Sequence, residues 1–397
     1  MTAYALRCRV CEDISAPGPA VPCKRCDGPT DVTYDWDVLR TGLSQETIAA
    51  GPPTLWRYGR LLPAAPRNPG AGAGWTPLVR APRLSDALGI DLHLKLESEN
   101  PTDSFKDRIA AVAVAAAVEL GLETICCASG GNLGDAVAAE AAVAEIEAIV
   151  LSPFPAPLAK AFGASVVVVD GSHEQCRRLE HELAELFPWG FVDSNLRPYG
   201  IEGAKTVAYE IAEQLAWELP DAVVCPAASG TLAAKLAQGF GELTDVGLAS
   251  GRAPSLFAAQ PEGCQPIASA WADDRTISRV QPLTDVSSLA VGNPSFGEFA
   301  IGAARASGGT IISVPEDEIP GNLDLLEKLG GVQADPASGV AIGALTRAVR
   351  EGRIAAGERV VLVVTGSAKP VRPESGPFVE PIQADVEAFL THLGLDR

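Results

Sequence analysis

Between Asp91 and Val364 the chain alternates short, continuously apolar runs with longer stretches of helical pattern. The runs are 124–127, 148–151, 166–169, 222–225, 256–259, 310–313 and 360–364. Runs apolar on both faces suit parallel strands covered by helices on either side, so the fold class is α/β. One run differs. Residues 91–97, Asp-Leu-His-Leu-Lys-Leu-Glu, alternate polar and apolar with period two, which predicts a strand with one face open to solvent. The stretch Asn100-Pro101-Thr102-Asp103-Ser104-Phe105-Lys106-Asp107-Arg108 then leads into 109–120, almost pure Ala and Val, a buried helix that Gly121 ends. Pro101 blocks helix propagation and biases Asn100 towards extended backbone, so the N-cap is expected at Thr102, Asp103 or Ser104. Lys106 then sits in the first turn, where the helix dipole opposes its charged form and lowers its pKa. A neutral amine can form a Schiff base. The plainer alternative is a solvated helix lysine.

Composition narrows the class. With 397 residues, 47% hydrophobic and 20% charged, the chain can build two globular domains and a small appendage. A net charge of −19 argues against nucleic acid as a partner, because that binding needs clustered Lys and Arg. The longest apolar runs are too short to span a bilayer. The N-terminus lacks the pattern of a signal peptide, so a cytoplasmic location is expected. The nine cysteines suit that compartment as metal ligands or buried thiols.

Four of those cysteines carry chemistry. Cys8-x-x-Cys11 and Cys23-x-x-Cys26 have the spacing of a four-cysteine zinc ribbon. Residues 1–35 hold four Lys/Arg against five Asp/Glu, so this segment has no basic face and reads as a structural cap. Residues 52–74, dense in Pro, Gly and Ala, predict a connecting arm over the surface.

Two glycine-rich turns follow apolar runs. Ala128-Ser129-Gly130-Gly131-Asn132-Leu133-Gly134-Asp135 opens a helix with backbone N–H groups at its positive end, which makes an anion site. Pro226-Ala227-Ala228-Ser229-Gly230-Thr231-Leu232 does the same with two added hydroxyls, which suits a phosphate monoester. Each alone is a common α/β turn. The 360–364 run ends on the hydroxyl of Thr365.

Asn-Pro-Thr-x-Ser-Phe-Lys-Asp-Arg is similar to the signature of the threonine synthase branch of fold-type II pyridoxal-phosphate (PLP) enzymes, with Asp103 in place of the usual glycine. The likeness extends from the cysteine ribbon through Trp56-Arg57-Tyr58, Gly74-Trp75-Thr76-Pro77-Leu78, both turns, Gly239-Phe240-x-Glu242-Leu243, Gly292-Asn293-Pro294-Ser295 and Asp335-Pro336-Ala337-Ser338-Gly339-Val340 to about Pro370. The resemblance implies two doubly wound domains of the tryptophan-synthase-β-like class plus the zinc ribbon. Their expected extents are 1–45 for the ribbon, 46–108 with 194–397 for the large PLP-binding domain, and 109–193 for the small mobile one. It further implies that Lys106 holds PLP and later acts as general base on Cα. Asn132, Ala228, Ser229, Gly230, Thr231 and Thr365 would bind the cofactor, and Ser129, Gly130 and Gly131 the substrate carboxylate. Thr365 would face the pyridine nitrogen, and a neutral hydroxyl there favours elimination and replacement over transamination.

Two family contacts to the substrate phosphate are altered. Leu133 stands for a threonine. In Ser194-Asn195-Leu196-Arg197-Pro198-Tyr199-Gly200, aligned on Pro198-Tyr199, Gly200 stands for an arginine and Arg197 for an asparagine. Ser194 and Arg197 are the remaining candidates on that segment. The expected activity is therefore that of a PLP-dependent lyase of the threonine synthase type, working at the β or γ carbon of a small amino acid other than O-phosphohomoserine. An authentic threonine synthase and a non-catalytic zinc-ribbon binding module are the alternatives. The expected cofactors are PLP and a structural zinc at Cys8, Cys11, Cys23 and Cys26. The expected partners are a small amino-acid substrate and a second copy of the chain in a homodimer, without nucleic acid or membrane.

Overall fold

The continuously apolar runs form two parallel sheets in a computed structural model that describes residues 4–19, 22–66, 72–368 and 380–395. Residues 67–71 of the connecting arm, and the end of the resemblance near Pro370, lie outside the described residues. The chain divides into two compact units, residues 1–74, 106–203 and 371–397 in one and 75–105 and 204–370 in the other.

The first unit carries a five-stranded parallel sheet in the order Ile382–Gln383, Ser165–Asp170, Glu147–Ser152, Thr124–Cys127, Gly190–Phe191. Its core is built from small side chains. Ala110 to Ala117 of the Lys106–Glu119 helix pack with Val137 and Ala141 of the Asn132–Ala144 helix and with Ile125 and Val150 of the sheet. Alanine faces allow close helix approach, and close packing supplies the dispersion contacts that large side chains would otherwise provide.

The same core takes in Leu6, Val32, Leu55, Trp56, Leu62, Ala64 and Ala73. By its contacts segment 46–74 therefore goes with this unit, whereas the sequence reading assigned it to the large domain. Nor is it a bare surface arm: Leu55, Trp56, Tyr58 and Leu61 of the short helix Leu55–Leu61 are all buried. At the N-terminus Tyr4–Cys8 pairs antiparallel with Ile14–Ser15 and Thr30–Tyr34.

The second unit holds a six-stranded sheet in the order Thr310–Val314, Ser255–Pro261, Ala222–Pro226, Arg359–Val364, Asp91–Leu96, Leu78–Arg80. Every pairing is parallel except the last. Period two holds from Asp91 to Leu94, which alternate part-buried and buried, and fails from Lys95 on. Lys95 and the following Glu97 are fully buried rather than solvent-facing, because each finds a polar partner inside. Lys95 Nζ lies 2.6 Å from Glu210 Oε2, and Glu97 accepts the Thr76 hydroxyl at 2.7 Å. A second buried lysine, Lys205, pairs with Glu242 at 3.0 Å, and the Tyr209 hydroxyl donates to the same carboxylate.

Candidate active site

In open α/β sheets, ligands gather beyond the carboxyl ends of the strands. In the second unit three neighbouring strands end in candidate segments. Ala222–Pro226 feeds the turn with Ala228, Ser229, Gly230 and Thr231, Arg359–Val364 ends on Thr365, and Asp91–Leu96 leads into the lysine motif up to Phe105. The Phe105 N–H donates to the Thr365 carbonyl at 3.1 Å, and Ser104 forms an antiparallel bridge with Gly366. Ser104 is thus held at the strand end, and the helix begins two residues later, at Lys106 itself. Asp103, where the family has glycine, adopts φ +64°. Among side chains other than glycine, aspartate is one of those that best tolerate this left-handed region.

The phosphate-type turn is shaped by close approach. Gly230 has φ +87°, and a Cβ there would lie 2.6 Å from the Phe296 carbonyl oxygen. The hydroxyls of Ser229 and Thr231 are 2.9 Å apart, and Gly230 caps the Thr231–Asp245 helix without a side-chain bond. First-turn N–H groups, two hydroxyls and no carboxylate in the turn make a donor set that fits a phosphate.

The first unit repeats the arrangement. Adjacent strands Thr124–Cys127 and Gly190–Phe191 end in the two segments that hold Ser129, Gly130, Gly131 and Asn132, and Ser194 and Arg197. Gly131 is the N-cap of the Asn132–Ala144 helix, again without a side-chain bond, which fits a carboxylate. Glu180 ties these segments together. One of its oxygens accepts the Ala128 N–H at 3.0 Å and the other the Asp193 N–H at 2.9 Å, and the side chain is fully buried.

Lys106 belongs to the same neighbourhood. Burial lowers its pKa, the charges of Asp193 and Cys127 hold it up in part, and Arg177 lowers it further. Arg177 faces Asp193 at 3.6 Å, and His181 Nδ1 lies 2.6 Å from the Ser194 hydroxyl. Arg197 is brought into this field too: desolvation, then Arg9, lower its pKa, and Asp193 counters them. Sequence reasoning missed Glu180, Arg177 and His181. A signal was present, since Glu180 follows Cys176 by four residues and sits within the buried stripe Cys176, Leu179, Leu183 of its helix.

The four ribbon cysteines meet away from these strand ends in the chain. Their Sγ atoms all lie within 4.8 Å of one another, and none is in a disulfide. Such a cluster fits a tetrahedral ion with bonds of about 2.3 Å to sulfur.

A family model described as "Pyridoxal-phosphate dependent enzyme" matches residues 71–366. The chain is 34% identical over 373 residues to the threonine synthase of Methanosarcina acetivorans, covering 91% of each protein. It is 33% identical over 353 residues to the threonine synthase of Methanocaldococcus jannaschii, covering 86% of each. Among solved structures, the processed form of threonine deaminase isoform 2 from Solanum lycopersicum superposes with a TM-score of 0.67 at 22% identity, over 90% of both chains, a likeness of fold. The chain belongs to the pyridoxal-phosphate dependent enzymes, as a lyase of the threonine synthase type.

Proposed function

We propose that Lys106 carries PLP and that the enzyme eliminates or replaces a substituent at the β or γ carbon of a small amino acid other than O-phosphohomoserine. The observation that carries this reading is the lysine's setting. It opens a helix directly after Phe105, which is bonded to Thr365, and burial keeps its amine less basic than usual. An amine of lowered pKa is the form that attacks a carbonyl. The buried lysines Lys95, Lys205 and Lys235 lie against Glu210, Glu242 and Gln238, the last at 2.7 Å.

When bound, PLP supplies an electron-poor ring that stabilises negative charge at Cα. Ala228, Ser229, Gly230 and Thr231 hold its phosphate, Asn132 its ring oxygen and Thr365 its ring nitrogen. Ser129, Gly130 and Gly131 receive the substrate carboxylate, and Ser194 with Arg197 line its side chain. The Lys106 amine would act as general base on Cα.

Packing supports the substrate reading. Gly200 is buried, and a Cβ on it would lie 3.1 Å from Ala113 Cβ and 3.2 Å from the Ile109 carbonyl oxygen. Leu133 packs against the core of the first unit. Neither side chain therefore supplies a phosphate donor. One observation favours the second reading, an authentic threonine synthase: Arg197 and Arg177 sit on the substrate segment's side and supply positive charge.

The ribbon holds one structural zinc, since four cysteine ligands leave no open position for substrate. Nine cysteines without a disulfide suit the cytoplasm, where we place the enzyme as a homodimer. Borohydride reduction followed by peptide mapping tests the lysine, and cofactor found on any residue but Lys106 refutes it. A panel of activated amino acids, with O-phosphohomoserine included, then tests the substrate. Metal analysis of the Cys8→Ser variant against the parent tests the zinc.

A further inference from the structure

The cysteine ribbon is built onto the segment that carries Arg197. Tyr199, two residues on, is buried, and its hydroxyl accepts the Gly18 N–H at 3.0 Å and donates to the Gly18 carbonyl at 2.6 Å. Gly18 lies in the loop between the two cysteine pairs. The Tyr4 ring meets Tyr199 edge-on with centroids 6.3 Å apart, and the Tyr34 hydroxyl donates to Glu202 at 2.7 Å. Leu6 and Val32 of the ribbon strands share a core with Leu196 and Tyr199. Residues 196–202 are therefore held at their start, middle and end by the ribbon.

Charge runs the same way. Arg9, between Cys8 and Cys11, grips the Asp31 carboxylate with two of its nitrogens. Burial first, then the charges of Arg9, Asp193, Arg177 and Asp31, act on the Arg197 guanidinium, so the ribbon's ion pair is part of its field. Both links depend on the cysteine cluster. A metal ion held by the four Sγ atoms ties the cysteine pair that brackets Arg9 to the pair ahead of Asp31, and closes the loop of Gly18 at its base. Without that closure the loop regains its freedom, and Tyr199 loses a fixed partner. We propose that the ribbon positions Arg197 through the Gly18–Tyr199 bonds and the Arg9–Asp31 pair, so that an anionic substrate side chain and the ribbon's metal each tighten the binding of the other. The proposal rests on the readings that Arg197 lines the substrate's side chain and that the ribbon holds zinc. The linkage is reciprocal by thermodynamic necessity, whereas a ribbon that only caps the chain has none.

The test uses the holoenzyme with L-aspartate and L-asparagine as probes, which match in shape and differ in charge. Cofactor absorbance reads their dissociation constants, and competition with a chelator of known strength reads zinc affinity. The parent is expected to prefer aspartate by about tenfold or more, and saturating aspartate to raise zinc affinity by about fivefold or more. Tyr199→Phe keeps the ring and removes both bonds to Gly18. It is expected to cut the aspartate preference by about three- to tenfold and to abolish the effect on zinc, with asparagine binding unchanged. Arg197→Gln is the control for the underlying reading: if the preference survives it, Arg197 does not line the side chain and both readings fall. If Arg197→Gln abolishes the preference while Tyr199→Phe leaves it and the zinc linkage intact, the ribbon's role is overturned. Where the phenylalanine variant folds poorly, the parent decides. Zinc affinity indifferent to aspartate, no preference for aspartate over asparagine, or a holoenzyme without zinc each overturns the proposal.

Discussion

Lys95 and Glu210 meet at 2.6 Å although they are 115 residues apart, and neither side chain has any solvent exposure. The carboxylate also accepts the N–H groups of Trp75 at 2.6 Å and Thr76 at 3.2 Å, and the ammonium donates to the Thr76 carbonyl at 2.7 Å. Burying two charges costs several kcal/mol, which the pair and its extra bonds offset. Removing one partner leaves the other uncompensated. Lys95→Met is expected to cost about 3–5 kcal/mol in a denaturant titration, whereas Lys95→Met with Glu210→Leu recovers part of that loss. A single variant that unfolds within about 1 kcal/mol of the parent would mean that water reaches the pair.

That pair also shows what the sequence could and could not reveal. Strands at 124–127, 222–226 and 359–364 were legible because each is a local run of apolar residues. The lysine motif and the cysteine pairs were legible because their chemistry depends on short spacing. Lys95 was misread as solvent-facing because its partner is remote, and period two cannot tell water from a buried carboxylate. Glu180 was missed as functional for the same reason: its meaning lies in the backbone N–H groups it reaches, those of Ala128 and Asp193. Residues 52–74 looked like a linker from their Pro and Gly. Their buried side chains, Leu55, Trp56, Tyr58 and Leu61 among them, decide otherwise.

Glu180 offers a test of how the proposed substrate segments are held. Glu180→Ala deprives the buried Ala128 N–H and the part-buried Asp193 N–H of their acceptor. An unsatisfied buried donor costs about 1–3 kcal/mol. We expect a fall in thermal stability and a rise of about tenfold or more in the dissociation constant for amino-acid ligands, with PLP still bound. Unchanged ligand affinity with lowered stability would reduce Glu180 to a core residue.

Glu140 should make stability fall as pH rises through the weakly acidic range. Burial, then the charge of Asp107, pushes Glu140 up to about 7, against 4.5 for a free glutamate. Between those values the folded chain holds a proton that the unfolded chain has released, so each step up in pH favours unfolding. The loss begins near pH 4.5 and is complete above about 7, reaching about 3 kcal/mol. Asp335, pushed up to about 6, acts in the same direction over a lower window. Urea midpoints measured from pH 4.5 to 8 should decline less, or rise more, in Glu140→Gln than in the parent, while His93, His173 and His181, lowered by burial, act in the opposite sense to Glu140 in both proteins. Parallel profiles of parent and variant contradict the assignment.

The substrate prediction turns on Gly200. Reintroducing the arginine of related enzymes looks simple from the sequence alone, yet the structure leaves it little room. A Cβ at this position would sit 3.1 Å from Ala113 Cβ, 3.2 Å from the Ile109 carbonyl oxygen and 3.4 Å from Ile109 Cγ2, all on the helix that Lys106 opens. Overpacking of this kind typically costs about 1–3 kcal/mol. Gly200→Arg alone is therefore expected to lower stability without creating activity. Adding Leu133→Thr restores a hydroxyl, and Ile109→Ala removes one of the close contacts, so the triple variant should gain turnover of O-phosphohomoserine over Gly200→Arg. A charge-assisted bond is worth about 1.5–3 kcal/mol, so lack of the arginine should cost the parent roughly ten- to a hundredfold on this substrate. Leu133 adds to that deficit, although neighbouring effects need not sum. Threonine formation from O-phosphohomoserine by the unaltered enzyme decides the matter. A kcat/KM of about 10⁴ M⁻¹s⁻¹ or more would sink the prediction and leave Arg197, with Arg177 beside Asp193, as the group that took over the phosphate.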